Sequence, residues 1–193
     1  TWSSSSEAPI ISTFSAVMVR RGTRWQIASL DETTQPQPES SMQALQELEW
    51  LVGQWVDESE AVRVETKVQW SPDKAFLLRS FLVQPTDGAK EQGTQVIGWD
   101  PRAKRIRSWT FNSDGSFGNG TWSKNGEQWL IRSSQTLSDG RAASGTFVVE
   151  RLDGDTISLQ LIGHEIDGEP QPTRDAVEDV RSRGETETSK ASQ

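Results

Sequence analysis

Residues 104–137 read KRIRSWTFNSDGSFGNGTWSKNGEQWLIRSSQTL, and this stretch decides the fold. Side chains alternate in character along 104–111, 117–123 and 127–137, the period of a strand with two unlike faces. Between the runs stand Ser113-Asp114-Gly115 and Lys124-Asn125-Gly126, sets of residues that favour tight turns. Joints this short leave no room for a crossover helix, so neighbouring strands must run antiparallel.

The same rhythm extends in both directions. Upstream it predicts strands over 61–70, 75–84 and 93–99, and downstream over 142–151, 156–165 and 175–182. Turn signals separate them, such as Ser71-Pro72-Asp73, Asp100-Pro101-Arg102 and Asp167-Gly168-Glu169. Nine consecutive antiparallel strands are expected to close on themselves, because closure removes free edges. The predicted fold class is therefore all-β: an antiparallel meander closed into a barrel, with one short N-terminal helix. A barrel of about eight to ten strands can hold one small ligand. A two-sheet sandwich is the alternative.

Residues 42–52, MQALQELEWLV, supply the helix. Ser41 reads as its N-cap, Leu45, Leu48, Leu51 and Val52 share one face, and Gly53 stops it. Residues 31–41 carry two prolines and read as a linker. Residues 14–30 read as a hairpin, with Arg21-Gly22-Thr23 as its turn. Residues 1–13 are Ser-rich, and 184–193, GETETSKASQ, have no apolar anchor; both ends are expected to be mobile. The opening Thr1-Trp2-Ser3 reads as a trimmed or mature start.

Composition narrows the chemistry. The 193 residues carry a net charge of −8 with no basic cluster, which opposes nucleic acid and anionic membranes. The absence of cysteine excludes disulfides, thiolate nucleophiles and Cys-ligated metals. A single histidine excludes a multi-His metal site within one chain. No apolar run is long enough to span a bilayer as a helix. Phosphate loops, dinucleotide fingerprints and metalloprotease helices are absent, so neither a metal nor a cofactor is expected.

Leu48-Glu49-Trp50-Leu51-Val52-Gly53-Gln54-Trp55 resembles the opening L-x-x-L-x-G-x-W of lipocalin-like, or calycin-like, bacterial barrel domains. Gly98-Trp99-Asp100, Ser108-Trp109-Thr110-Phe111, Gly120-Thr121-Trp122 and Gly126-Glu127-Gln128-Trp129 are similar in order and spacing. The resemblance covers 42–183. It implies that the short helix plugs one barrel end and that Gly53-Gln54-Trp55 begins the first strand. It also leaves open an extracytoplasmic location, since related chains are often exported. Separately, Val17–Ser29 resembles the closing strands of a SnoaL-like domain, whose helices and pocket would lie upstream. The expected organisation is thus a start and hairpin over 1–30, a linker over 31–41, a barrel over 42–183 and a tail over 184–193.

Three sets of residues are candidates for a site. His164, in Leu161-Ile162-Gly163-His164-Glu165, is the one side chain suited to act as a general base. The resemblance adds haem ligation, since some such barrels bind haem through one His. Its plain reading is a strand residue near a turn. The tryptophans are the second set: Trp70, Trp99, Trp109 and Trp122 offer large apolar faces with one N–H each. Trp109 and Trp122 flank Gly115–Gly120, expected to be a flexible rim, whereas Trp50, Trp55 and Trp129 read as core. Third come arginines within strands, Arg79, Arg105, Arg107 and Arg132. One of them pointing inward would anchor an oxyanion, although most strand arginines face solvent. Arg107, Trp109 and Phe111 share one strand face, and Ile106, Ser108 and Thr110 share the other. Acid pairs such as Asp153/Asp155 sit at turns, where acids serve solubility.

The expected function is binding of a small, largely apolar molecule inside the barrel by Trp70, Trp99, Arg107, Trp109, Phe111 and Trp122. The alternatives are a hydrolase or isomerase with His164 as base, and a structural domain whose barrel is filled by its own side chains. The apolar residues of the hairpin make 14–30 a candidate homodimer interface.

Overall fold

In the computed structural model, residues 12–21, 24–34, 40–59, 61–173 and 175–182 are described. The chain divides into two units, 1–39 and 40–193. In the first, β1 (Ser12–Arg21) pairs antiparallel with β2 (Arg24–Thr34). The register shifts between Val17 and Met18, and Ile27 is exposed. The strand β2 continues through residues 31–34, which the sequence assigned to the linker. Of the expected turn Arg21-Gly22-Thr23, the first residue ends β1; residues 22–23, the linker at 35–39 and both chain ends lie outside the described residues.

The second unit opens with the helix, and Ser40 rather than Ser41 caps it: its Oγ accepts from Gln43 N–H at 3.2 Å. Only Ser41–Leu45 (α1) is α-helical; Gln46–Leu51 tightens into a 3-10 helix. The sequence explains the change. Leu45, Leu48 and Leu51 recur every three residues, the spacing that a 3-10 helix stacks along one edge. All three are buried.

Ten strands then close into a barrel. They are β3 (Gly53–Glu58), β4 (Val62–Trp70), β5 (Phe76–Pro85), β6 (Glu91–Asp100), β7 (Arg105–Asn112), β8 (Phe117–Asn125), β9 (Gln128–Thr136), β10 (Ala142–Arg151) and β11 (Thr156–Ile166), with β13 (Val177–Arg181) after the two-residue β12 (Glu169–Pro170). Each strand from β3 to β11 pairs antiparallel with the next, β11 pairs with β13, and β13 returns to β3. Closure excludes the sandwich. The nine segments seen as periodic are all strands; β3, reached in the sequence only through the resemblance, is the tenth. The closing seam is thin, with only Val180↔Val56 and Arg181↔Trp55 in register between β13 and β3.

Gly53 and Trp55 lock the plug to that seam. Trp55 is 2% exposed, and its Nε1–H donates to the Leu51 carbonyl at 2.8 Å. The Arg181 guanidinium stacks over the Trp55 ring at 4.2 Å and donates to the Val52 and Trp50 carbonyls at 2.8 and 3.1 Å. These are orphan acceptors at the end of the 3-10 helix, and the arginine satisfies them. A side chain at residue 53 would overlap Arg181, so the approach requires glycine there, where φ is +145°.

Candidate functional site

The phase of each strand follows from burial. On β7, Ile106 and Ser108 are 5% and 1% exposed, whereas Phe111 is 57% exposed. Ile106, Ser108 and Thr110 therefore face inward. Arg107, Trp109 and Phe111 lie on the outer wall, opposite to the face a ligand site needs. Outside, the Arg107 guanidinium stacks on Trp109 at 5.6 Å and pairs with Asp100 at 3.4 Å. Its neighbour Asp100 is held below the usual carboxylate range, first by the Ala103 amide and further by Arg107.

Inside the barrel is a cavity of about 400 Å³. Val64, Val68, Ile97, Ile131, Val149 and Leu159 give it an apolar wall, and Thr66, Arg79, Gln95, Thr110, Ser133 and Asp179 give it a polar one. Of the tryptophans expected to bind ligand, Trp122 lines this cavity, and its Nε1–H donates to Ser108 Oγ at 3.0 Å. Trp122 also meets Trp129 edge to face, with ring centroids 6.2 Å apart. Trp70 and Trp99 do not line the cavity; they pack half-buried against the hydrophobic core.

The expected flexible rim is different in kind. Phe117–Gly120 belongs to β8, and only Gly115 sits in the turn, at φ +85°. Gly118 and Gly120 serve space rather than flexibility. A Cβ at Gly120 would come within 2.6 Å of Ser108 Oγ and 2.9 Å of Ile131 Cγ2.

His164 stands apart from the cavity. It is half-buried near the end of β11, just past Gly163, whose φ of +57° belongs to a break in register with β10. It does not line the cavity. Among the described residues, no serine or aspartate is hydrogen-bonded to its imidazole. Nor does any group of three His, Cys, Asp or Glu among them have the placement to hold a metal ion. No helix of the described residues is long and apolar enough to cross a membrane.

Of Arg79, Arg105, Arg107 and Arg132, the one that lines the cavity is Arg79, on β5. Its guanidinium lies over the Phe81 ring at 4.9 Å and donates one long hydrogen bond, 3.4 Å, to Thr66 Oγ1. Burial pulls it below the ordinary arginine value, with partial relief from Asp179. Asp179, on β13, is 8% exposed. Burial pushes its carboxyl above the ordinary range; Arg79 opposes that rise and Asp57 adds to it. Arg79 was one of four candidates in the sequence, whereas nothing in 175–182 singled out Asp179. Comparison of the chain with protein-family models gives no match, and comparison with curated proteins gives none.

Proposed function

We propose that this chain is a binding module whose barrel holds one small, largely apolar molecule, with no chemistry performed on it. The supporting observation is the cavity of about 400 Å³ enclosed by the strands, a size suited to a small ligand. A barrel filled by its own side chains would leave no such space. The likeness of 48–55 to lipocalin-like bacterial domains supports the same reading, and the SnoaL-like strands of the hairpin add no activity to it. Catalysis through His164 takes second place, because a general base must reach the bound molecule and this histidine does not line the cavity.

The test is titration with N-phenyl-1-naphthylamine, an uncharged apolar dye. Its emission is expected to rise at one dye per chain while tryptophan emission falls. Trp122→Ala is expected to weaken binding, and Trp109→Ala, on the outer wall, to leave it unchanged. A folded protein that takes up no dye refutes the reading.

A further inference from the structure

The cavity wall holds two ionic side chains that the protein leaves largely unpartnered. Arg79 has five N–H donors; among the described residues its one hydrogen bond is the long contact to Thr66, with the Phe81 ring beneath the guanidinium. Asp179 is more than nine-tenths buried, lines the same cavity, and receives no hydrogen bond among the described residues. Nor does an ion pair join the two, although they are close enough to interact through space.

Position makes them a couple. The β13, β3, β4 and β5 strands are consecutive around the barrel. The long stem of Arg79 carries its guanidinium from β5 to Thr66 on β4. What remains is two strand spacings of about 4.8 Å across the sheet and, because Thr66 is level with Trp55 and Arg181 whereas Val64 is level with Asp57, about two residues along it, less the length of the aspartate side chain. The space between them belongs to the cavity that both line, so a polar head group placed there meets one side chain at each end.

We propose that Arg79 and Asp179 form a two-point head-group subsite that takes a neutral amide: its carbonyl accepts from Arg79 and its N–H donates to Asp179. The proposal rests on the container reading above and names the class of ligand. A wholly apolar molecule would displace water from both side chains and return nothing, and stripping buried charges of every partner is costly. A free carboxylate would satisfy Arg79 but add negative charge beside Asp179, near Asp57 on β3, and in a cavity also lined by Glu91 on β6. An ammonium would satisfy Asp179 and leave Arg79 bare. An amide serves both poles and adds no net charge, and its chain lies along the apolar wall.

The experiment measures displacement of N-phenyl-1-naphthylamine from the full chain by four ten-carbon probes. Decanamide offers acceptor and donor, methyl decanoate an acceptor alone, decanoate a charged acceptor, and decylammonium donors alone. Decanamide is expected to bind roughly 10- to 100-fold more tightly than methyl decanoate, the worth of one hydrogen bond to a charged group. The double variant Arg79→Met/Asp179→Leu removes both charges together, an exchange that buried ion pairs often tolerate. It is expected to prefer decanamide over methyl decanoate no longer, with its fold checked by circular dichroism. Equal binding of all four probes, a preference for decanoate, or a decanamide preference that survives in the double variant would overturn the subsite and leave the container standing. Failure of the dye itself to bind would overturn both.

Discussion

Replacing Trp55 by alanine tests whether the plug holds the barrel together. The side chain is 2% exposed, and a buried aromatic of this kind withdraws about 150–250 Å² from water. At about 25 cal/mol per Å² that is worth roughly 4–6 kcal/mol, and mutational experience for such truncations is about 3–5 kcal/mol. Two further losses follow. The Leu51 carbonyl loses its indole donor at 2.8 Å, a buried acceptor whose orphaning costs about 1–3 kcal/mol. The Arg181 guanidinium loses the ring beneath it, worth about 0.5–2 kcal/mol. Because relaxation overlaps these terms, Trp55→Ala is expected to cost about 5 kcal/mol, a large share of a domain's usual stability. Trp55→Phe keeps a ring and loses the N–H, so about 1–3 kcal/mol is expected. Urea denaturation followed by far-ultraviolet circular dichroism is the assay, since nine tryptophans blur a fluorescence signal. A loss below about 1 kcal/mol for Trp55→Ala would show that plug, first strand and Arg181 are not energetically joined.

Asp179→Asn is expected to raise stability at neutral pH and to have no effect below the ordinary aspartate value of 3.8. A carboxyl raised in the folded state binds its proton more tightly there than in the unfolded chain, so its contribution falls as pH rises from 3.8 toward the folded value; urea midpoints across pH, with the variant no more stable at pH 7, would contradict this. Gly120→Ala is expected to cost about 1–3 kcal/mol by overpacking Ser108 and Ile131, and a neutral result in thermal unfolding would mean that the wall yields there. The hairpin over 14–30 is expected to make the full chain a dimer and a chain beginning at Ser40 a monomer; light scattering that finds one subunit in both cases rules this out.

The fold was legible because strand and turn signals are local. Each joint from β4 onward carries its own Asp, Asn, Gly or Pro, and a period of two shows in most of the strands between them. The tenth strand was harder to see. In β3 the run Gly53–Glu58 is short and its pairing partner β13 is more than a hundred residues away, so nothing local marks the seam. The helix type is hidden for a different reason. Its leucines repeat at three, which both helix types accommodate over so short a span, and burial against the barrel favoured the tighter one.

The site was less legible, because alternation assigns residues to two faces without saying which is inside. On β7 size alone favours Arg107/Trp109/Phe111 as the inward face, and the structure puts Ile106/Ser108/Thr110 there. The interior at that level already contains Trp122 and Trp129, so it needs a small residue opposite the indole, and Ser108 and Gly120 supply the room. On β5 apolar residues occupy both faces, so Arg79 carried no sign of direction. On β13 the pattern points the wrong way: Val180 is 50% exposed and Asp179 is 8% exposed. A strand governed by burial alone would turn the valine inward and the aspartate out. Its partner Arg181 gains from facing inward, because it satisfies the plug carbonyls, and residues two apart share a face. Asp179 is therefore carried inside by the same turn of the strand. That placement fixes where a buried carboxylate stands but leaves it without a donor, and an alanine at this position would keep the plug and avoid the burial cost. The buried acid, in the same cavity wall as Arg79, breaks the local rule of burial, and such breaks are expected where a protein has a site.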